Sequence, residues 1–448
     1  MDIETLEKLI KEHKPLSTRY YDQKSYKIGL NAGIFQEQDK PAPDNRIPVP
    51  FIRRAVKLIK GYFAKVGNIT YSDKTEWFKN NISKVYNKNN ESLETAEIFE
   101  DSITYGSAFE LHWFDKDDGF MFSPIPVDQA IPIYSDDLIK ELIGFVWYRK
   151  AQNGDELATY YDAKEYQEYR KVKNGDKWIL DMERSGIHLY GKVPVLEANT
   201  DRDKRNFFDH CLPLIDFFDK LVSEVGNEHE KFAESILLLR DYLDDQVTDS
   251  DGKTQVDRVS ELRVLDKLGD NVNNAAAYLQ RNVNDTFINN TLDRIERLIY
   301  EMLCLFNPND DGFATASGIA QAYKLLGFEL SVADIESYFS KFLQERIKLI
   351  AGHQSGRVID ATQADFVTIG FRRNLPADIE KLITMASVAS GGQPILSKKT
   401  ILKLFPSTII EDVEKELDAI KKDAGTVENP DKGLEGVEET PDDTDIID

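Results

Sequence analysis

With only Cys211 and Cys304 in 448 residues, the chain has no disulfide framework, and it suits a reducing compartment. Both cysteines fall on predicted apolar helix faces and read as core residues. No apolar run reaches about 18 residues, so no transmembrane helix is expected. The start, Met1-Asp-Ile-Glu-Thr-Leu-Glu, is acidic and amphipathic and does not read as a signal peptide. Catalytic grammar is also scarce. No Gly-x-x-x-x-Gly-Lys-Ser/Thr, His-Glu-x-x-His, Cys-x-x-Cys or Gly-x-Ser-x-Gly occurs, which removes a P-loop ATPase, a zincin, a thiol redox centre and a nucleophile elbow. The six histidines are scattered and read as packed or solvated side chains, not metal ligands. Basic charge is in deficit, with 56 Lys and Arg against 79 Asp and Glu and a net charge of −23. A protein that grips nucleic acid by its phosphates needs the opposite balance.

What remains is an ordinary globular composition, 41% hydrophobic and 30% charged, in a chain long enough for two or three packed units. Residues 1–44 read as a short helix and a loose segment. From Pro50 an amphipathic helix is predicted to about Val66, followed by helices near 74–86 and 91–105, the last with Asn90 as N-cap. Strands then dominate: Ala108 to Phe114, Phe120 to Pro124, Gly144 to Arg149, Leu157 to Tyr161, Glu165 to Val172 and Trp178 to Met182. Turns at Asp115 to Gly119, Asn153-Gly-Asp155 and Asn174-Gly-Asp176 separate them, as in an antiparallel meander. Phe208 to Arg240 reads as one long helix, and Asp241 to Asn274 as a polar insert with strand-like Glu261 to Leu265. A second long helix places Ile288, Leu292, Ile295, Ile299, Met302 and Phe306 on one stripe. The loop Asn307-Pro-Asn-Asp-Asp-Gly-Phe313 and a third long helix to Ile350 follow. A strand is predicted at Asp365 to Arg373, then a helix from Leu375-Pro376 to Ser390. Ser397 and Thr408 begin two short helices, the second with a Thr408 to Glu411 capping box. From Asp423 the tail has ten acids and one lysine and reads as disordered. The fold class expected is α+β.

The block Ala314-Thr-Ala-Ser-Gly-Ile-Ala-Gln-Ala-Tyr-Lys-Leu-Leu-Gly-Phe-Glu-Leu330, with its Ser317-Gly318-Ile319-Ala320 core, resembles the tailed-phage portal proteins of siphophages of Gram-positive hosts. Asn45 to Tyr62, Ile103-Thr-Tyr-Gly-Ser-Ala-Phe-Glu110, Gly191-Lys-Val-Pro-Val195 with Asn199, and Val367 to Pro376 are similar to further segments of that family, in its order. The resemblance implies a wing over 1–207, stem helices at 208–240 and 281–306 bracketing a clip at 241–280, and a tunnel loop at 307–316. A long wing helix and strand at 317–375, a helical crown at 376–422 and an acidic tail at 423–448 complete it. It also implies a homo-oligomeric ring of about twelve subunits at one capsid vertex of the virion, assembled in the host cytoplasm. Double-stranded DNA would pass through without sequence specificity. The expected partners are the terminase large subunit, a head-completion adaptor, scaffold and the major capsid protein, with no membrane, cofactor, metal or catalysis.

By that resemblance, Asn307, Asn309, Asp310, Asp311, Phe313 and Thr315 face the DNA channel, although an ordinary helix–helix turn would use the same residues. Asn307, Asn309, Asp311 and Gly312 partly match a calcium loop, but Gly318 stands where its bidentate acid belongs. Asp249, Asp251, Arg258 and Arg263 are the clip residues assigned to partner docking, against the plainer reading of a surface excursion. Arg53, Lys57 and Lys60 share a helix face that either touches DNA or a neighbour's acids, or is simply solvated. The net acidity fits a conduit that does not hold passing phosphates, and equally a chain kept soluble by its charge. Two other functions stay open at this level: a structural head or neck component without a channel, and a carboxylate-based intracellular hydrolase, which would need paired carboxylates in a cleft.

Overall fold

A computed structural model describes residues 1–31, 33–35, 44–65, 67–117, 119–172, 175, 177–233, 237–239, 276–278, 285–305, 307, 318–354, 361–373, 383–384, 386–388, 396–402, 405, 410 and 413–427. The chain divides into two units, Met1–Arg372 and Arg373–Asp448.

The first unit opens with α1, Ile3–Ile28, far longer than the short helix expected. Asp2 caps it by accepting the Thr5 N–H, and Gly29 closes it in the left-handed region. Helix α2, Phe51–Phe63, buries Phe51, Ile52, Ala55, Val56, Ile59 and Phe63. Next come β1, Ile69–Ser72, and the short helices α3, Trp77–Asn81, and α4, Ser83–Lys88. Helix α5, Glu91–Tyr105, does start after Asn90, but Asn90 is left-handed and makes no side-chain cap. Gly106 then turns the chain directly into β2, Ser107–Asp115. Its φ is +87°, and a Cβ there would lie 2.3 Å from the Lys204 carbonyl oxygen, so only glycine fits.

The strands β3, Gly119–Ile125, β4, Ala130–Tyr134, β5, Leu142–Lys150, β6, Glu156–Tyr161, β7, Glu165–Lys171, β8, Ile179–Ile187, and β9, Val195–Asn199, form two antiparallel sheets. One has the order β3-β2-β9, the other β4-β5-β6-β7-β8. The five-stranded meander buries Ile131, Val146, Ala158 and Tyr169 against Leu6 and Ile10 of α1. Phe145 meets Phe109, Leu111 and Val195 of the smaller sheet. Alternation of side chains along each strand delivers both layers at once. The strands β4 and β9 were not read from sequence; Pro132 and Pro194 obscure their patterns.

Helix α6, Leu212–Ala233, ends seven residues before the predicted Arg240, and Leu237–Leu239 form strand β10 instead. A short apolar run carries no periodicity to distinguish the two states, and here Leu237 pairs with Tyr278 of β11, Ala276–Tyr278. Helix α7 spans Asp285–Met302 and α8 spans Gly318–Gln354. A 3-10 turn at Ala361–Phe366 and β12, Thr368–Phe371, replace the single strand expected at 365–373. β12 pairs antiparallel with β1, so residues about 300 positions apart in sequence close the unit, at Thr70 and Gly370 among others. A large core joins α2, α5, α6, α7 and α8 through Phe63, Phe99, Ile215, Ile299, Phe328 and Phe339. Phe63 stacks on Phe99 and Phe371 at 4.6 and 4.8 Å.

In the second unit, α9, Lys398–Leu402, follows Ser397, whose hydroxyl accepts the Thr400 N–H. Helix α10 runs Val413–Val427, into the segment expected to be disordered from Asp423. Lys399 of α9 pairs with Glu414 of α10. Thr408 and Glu411 of the predicted capping box and most of the predicted helix from Leu375 to Ser390 lie outside the described residues. Among the described residues, no helix is long and apolar enough to cross a membrane.

Candidate functional site

Helices α6, α7 and α8 are each fixed in place by specific contacts. Helices α6 and α7, about 33 and 27 Å long at 1.5 Å per residue, pack against each other. Phe51 of α2 bridges them, edge-on to Phe218 of α6 (5.0 Å) and Tyr300 of α7 (6.2 Å). The antiparallel pair β10–β11 links the end of α6 to the approach to α7.

An extended strap, residues 45–49, is laid along α6. The N–H groups of Val49, Ile47 and Asn45 donate to Asp219 Oδ1 (2.9 Å), Ser223 Oγ (3.0 Å) and Asn227 Oδ1 (2.5 Å). Two extended residues advance roughly 6.6 Å and four helical residues about 6.0 Å, so every second strap amide meets every fourth helix side chain. Pro48 and Pro50, which have no N–H, keep the strap extended between these bonds. Gly226 permits the approach, since a Cβ there would sit 3.2 Å from Ile47 Cδ1. Burial pushes the Asp219 carboxyl up to about 6, opposed by the Val49 and Asn31 hydrogen bonds and reinforced by Asp216.

Helix α7 stops at Met302 because Cys304 adopts φ +51° and the Leu305 N–H reaches back to the Tyr300 carbonyl (2.9 Å). This Schellman closure tucks Leu303 and Leu305 into the core. It ends the helix before Phe306, and it leaves Cys304 exposed where a core residue was expected. Cys211 is buried, in a 3-10 turn that precedes α6. His210 Nε2 donates to the Met302 carbonyl at 2.9 Å, which ties the start of α6 to the end of α7.

Helix α8 is fixed by a buried ionic cluster. Arg346 is fully buried and makes a two-pronged contact with Glu110 of β2, through Nε–Oε1 (2.8 Å) and through Nη2 with Oε2. Its Nη1 donates to Thr95 (2.6 Å) and lies 3.4 Å from Glu91, both on α5. Phe122 and Phe342 sit on its guanidinium, each 4.8 Å from centroid to Cζ. Burial alone would raise the Glu110 carboxyl, but Arg346 and then His112 hold it below the usual range. Burial holds His112, 3.0 Å from Glu110, below the usual imidazole value and so neutral at pH 7. Arg346 stands about 42 Å along the helix axis from Gly318, so α8 is a long arm riveted to the sheet near its far end.

Of the residues assigned from sequence, only Asn307 falls among the described residues, with Nδ2 at 3.5 Å from Glu296 Oε1 of α7. Asn309, Asp310, Asp311, Phe313 and Thr315 lie outside them, as do Asp249, Asp251, Arg258 and Arg263. Of the basic face read on α2, Lys60 pairs with Glu100 (2.6 Å) while Arg53 and Lys57 are exposed; the neighbouring Arg54 lies over Tyr300 (5.6 Å). Sequence reading missed the Arg346 cluster. Arg346 stands among Gln344, Glu345 and Lys348, as on any solvated helix face, so the one sequence signal was a lone glutamate inside β2. A groove of about 800 Å³ is lined by Asp73, Glu76 and Glu91, among others. There Asp73 is occupied with the N–H groups of Thr75, Trp77 and Phe78, and Glu91 with Tyr71 and Thr95. Among the described residues no three side chains are grouped to hold a metal.

A family profile described as phage portal protein, SPP1 Gp6-like, matches residues 7–429. No curated protein matches the chain. Among solved structures, it is similar to a chain in the neck of an empty GTA particle computed with C6 symmetry, with 12% identity, a TM-score of 0.48, and 80% of this chain and 90% of that one covered. A chain in the neck of a native GTA particle computed with C12 symmetry gives 10% identity and a TM-score of 0.43 over 79% and 88%. A chain of the virion of a native gene transfer agent gives 12%, 0.42, 79% and 89%.

Proposed function

The chain belongs to the SPP1 Gp6-like phage portal proteins, and from that premise we propose how its parts serve the particle. It is a portal protein of the capsid vertex, a structural component and not an enzyme. Copies close head to tail into a ring of about twelve, and the ring is the passage for double-stranded DNA during packaging and ejection. Helices α6 and α7 are the stem. Residues 241–280 are the clip, which docks the terminase large subunit and later a head-completion adaptor through Asp249, Asp251, Arg258 and Arg263. Residues 307–316 are the tunnel loop. Asn307 and Asn309 offer weak hydrogen bonds there, while Asp310 and Asp311 repel phosphate and keep DNA from sticking. Scaffold and the major capsid protein contact the ring as it assembles in the host cytoplasm. ATP hydrolysis belongs to the docked motor.

The single observation that carries this reading is the match over residues 7–429. A rigid frame supports the loop's role: its leading helix is closed by the Cys304 turn, and its trailing helix is pinned through Arg346. Replacing 308–316 with a short Gly-Ser turn should leave ring assembly intact and abolish DNA-filled heads in a phage complementation assay. Filled heads at the wild-type yield from such rings would contradict the channel role.

A further inference from the structure

Two apolar corners of the five-stranded sheet are built to be presented. The first is the β4–β5 loop. Leu138 is 100% exposed and Ile139 75%, yet their loop is tightly organised. Asp137 Oδ1 accepts the Ser135 hydroxyl (2.8 Å) and the N–H groups of Ile139 (3.0 Å) and Lys140 (2.8 Å). Ser135 Oγ in turn accepts the Glu141 N–H (2.9 Å), and the Ser135 N–H donates to the Glu141 carbonyl (2.8 Å). A surface loop held by five hydrogen bonds, with two aliphatic side chains at its tip, has already met the ordering cost that a binding loop otherwise meets on contact.

The second corner is the end of β8. Ile187 and Leu189 are 79% and 81% exposed. His188 between them is fastened inward, its N–H to the Lys164 carbonyl (2.9 Å) and its Nε2 to the Asp162 carbonyl (2.8 Å). With His188 held inward, Ile187 at the strand end and Leu189 in the bend that follows are both left on the surface.

The register places both corners at one end of the sheet. Tyr134 pairs with Leu142 where the loop begins and ends; Phe145 pairs with Tyr161, Tyr161 with Tyr166, and Tyr166 with Gly186 beside Ile187. They lie at opposite edges, four strand spacings or roughly 19 Å apart. A closed head-to-tail ring needs two different patches on opposite flanks of one subunit, at one level along the axis. We infer that the Leu138–Ile139 tip of one copy docks on the Ile187–Leu189 corner of the next. The occupant is a second copy of this chain, and the contact rests on the ring reading above. It is made by side chains and not by strand addition. The Asp181 carboxylate takes the N–H groups of Glu183 (3.2 Å) and Arg184 (3.3 Å), bulging the outer part of β8.

The test uses the full chain with Cys304→Ser, carrying Leu138→Cys and Leu189→Cys together. Oxidised and run without reductant, assembled protein should give a ladder of covalent multimers ending at the ring, whereas either cysteine alone gives none. Ile139→Asp, folded by circular dichroism, should raise the concentration for half-assembly about tenfold, the loss expected for one buried aliphatic contact. Rings of normal mass with no ladder, together with unchanged assembly of Ile139→Asp, would overturn this contact and leave the portal reading standing. A chain that forms neither rings nor ladder at any concentration would overturn both.

Discussion

Replacing Arg346 with methionine removes a charge but little volume, so its effect reports on the ionic cluster and not on a cavity. In the native fold Arg346 holds Glu110 by two contacts, reaches Glu91 and Thr95, and lies between Phe122 and Phe342. Methionine still fills the space between the two rings. Glu110, with no exposed surface, is left as a buried carboxylate facing a neutral histidine. Breaking a buried pair on one side costs about 3–5 kcal/mol. The pH dependence sharpens the test. Glu110 is now depressed by Arg346 against its burial, so its favourable contribution is present at neutral pH and is lost only as pH falls through that lowered value. In Arg346→Met only His112 still opposes burial, so the Glu110 carboxyl rises from its depressed value. The variant's deficit should therefore be largest above neutrality and should shrink as pH falls and Glu110 takes up a proton. Arg346→Met with Glu110→Leu should recover more than half of the loss, because no buried charge is left alone. Urea unfolding of each variant between pH 5 and 8 measures this. A loss under about 1 kcal/mol, or a deficit independent of pH, would refute the view that this cluster rivets α8 to the sheet.

Gly106→Ala should be among the most damaging single substitutions, costing about 2–4 kcal/mol or preventing folding, because neither the +87° backbone nor the Lys204 carbonyl can yield; a thermal scan checks it. Asp219→Asn should stabilise the chain at pH 7 to 8 by up to about 2 kcal/mol. The raised carboxyl makes wild-type stability fall as pH rises from the ordinary value toward about 6, while an amide oxygen still accepts the Val49 N–H; unfolding curves at pH 4 and 8 should converge and diverge accordingly. Glu100→Gln should cost about 1 kcal/mol. It loosens α1 and α2 from α5 by weakening the contacts to Lys27 and Lys60, both 2.6 Å, and differential scanning fluorimetry reads the shift.

The legible parts of this fold were those with a strong period. Ile295 and Ile299 marked the buried stripe of α7, and Leu157 to Tyr161 with Glu165 to Val172 marked neighbouring strands of the meander, which pair from Glu156–Lys171 to Tyr161–Tyr166. What stayed hidden depends on partners distant in sequence. β1 is a strand because Phe371 and Gly370 lie beside Ile69 and Thr70. Leu237–Leu239 leave the helix because Ala276–Tyr278 offer a ladder. Cys304 turns left-handed because Leu303 and Leu305 both reach the core. For the same reason Arg346 and Glu110, 236 positions apart, gave no joint signal in the sequence, although they set the position of α8. The residues assigned to the channel and the clip were read from a resemblance, and apart from Asn307 they lie outside the described residues.

The central claim is that copies of this chain close into a ring with a passage through it. Class averages of the purified protein by negative-stain microscopy, taken with its mass in solution, address that claim most directly. Rings with an axial hole and a mass of about a dozen 51.2 kDa chains are the predicted result. A monomer or dimer without rings, at high concentration and across salt, would contradict it.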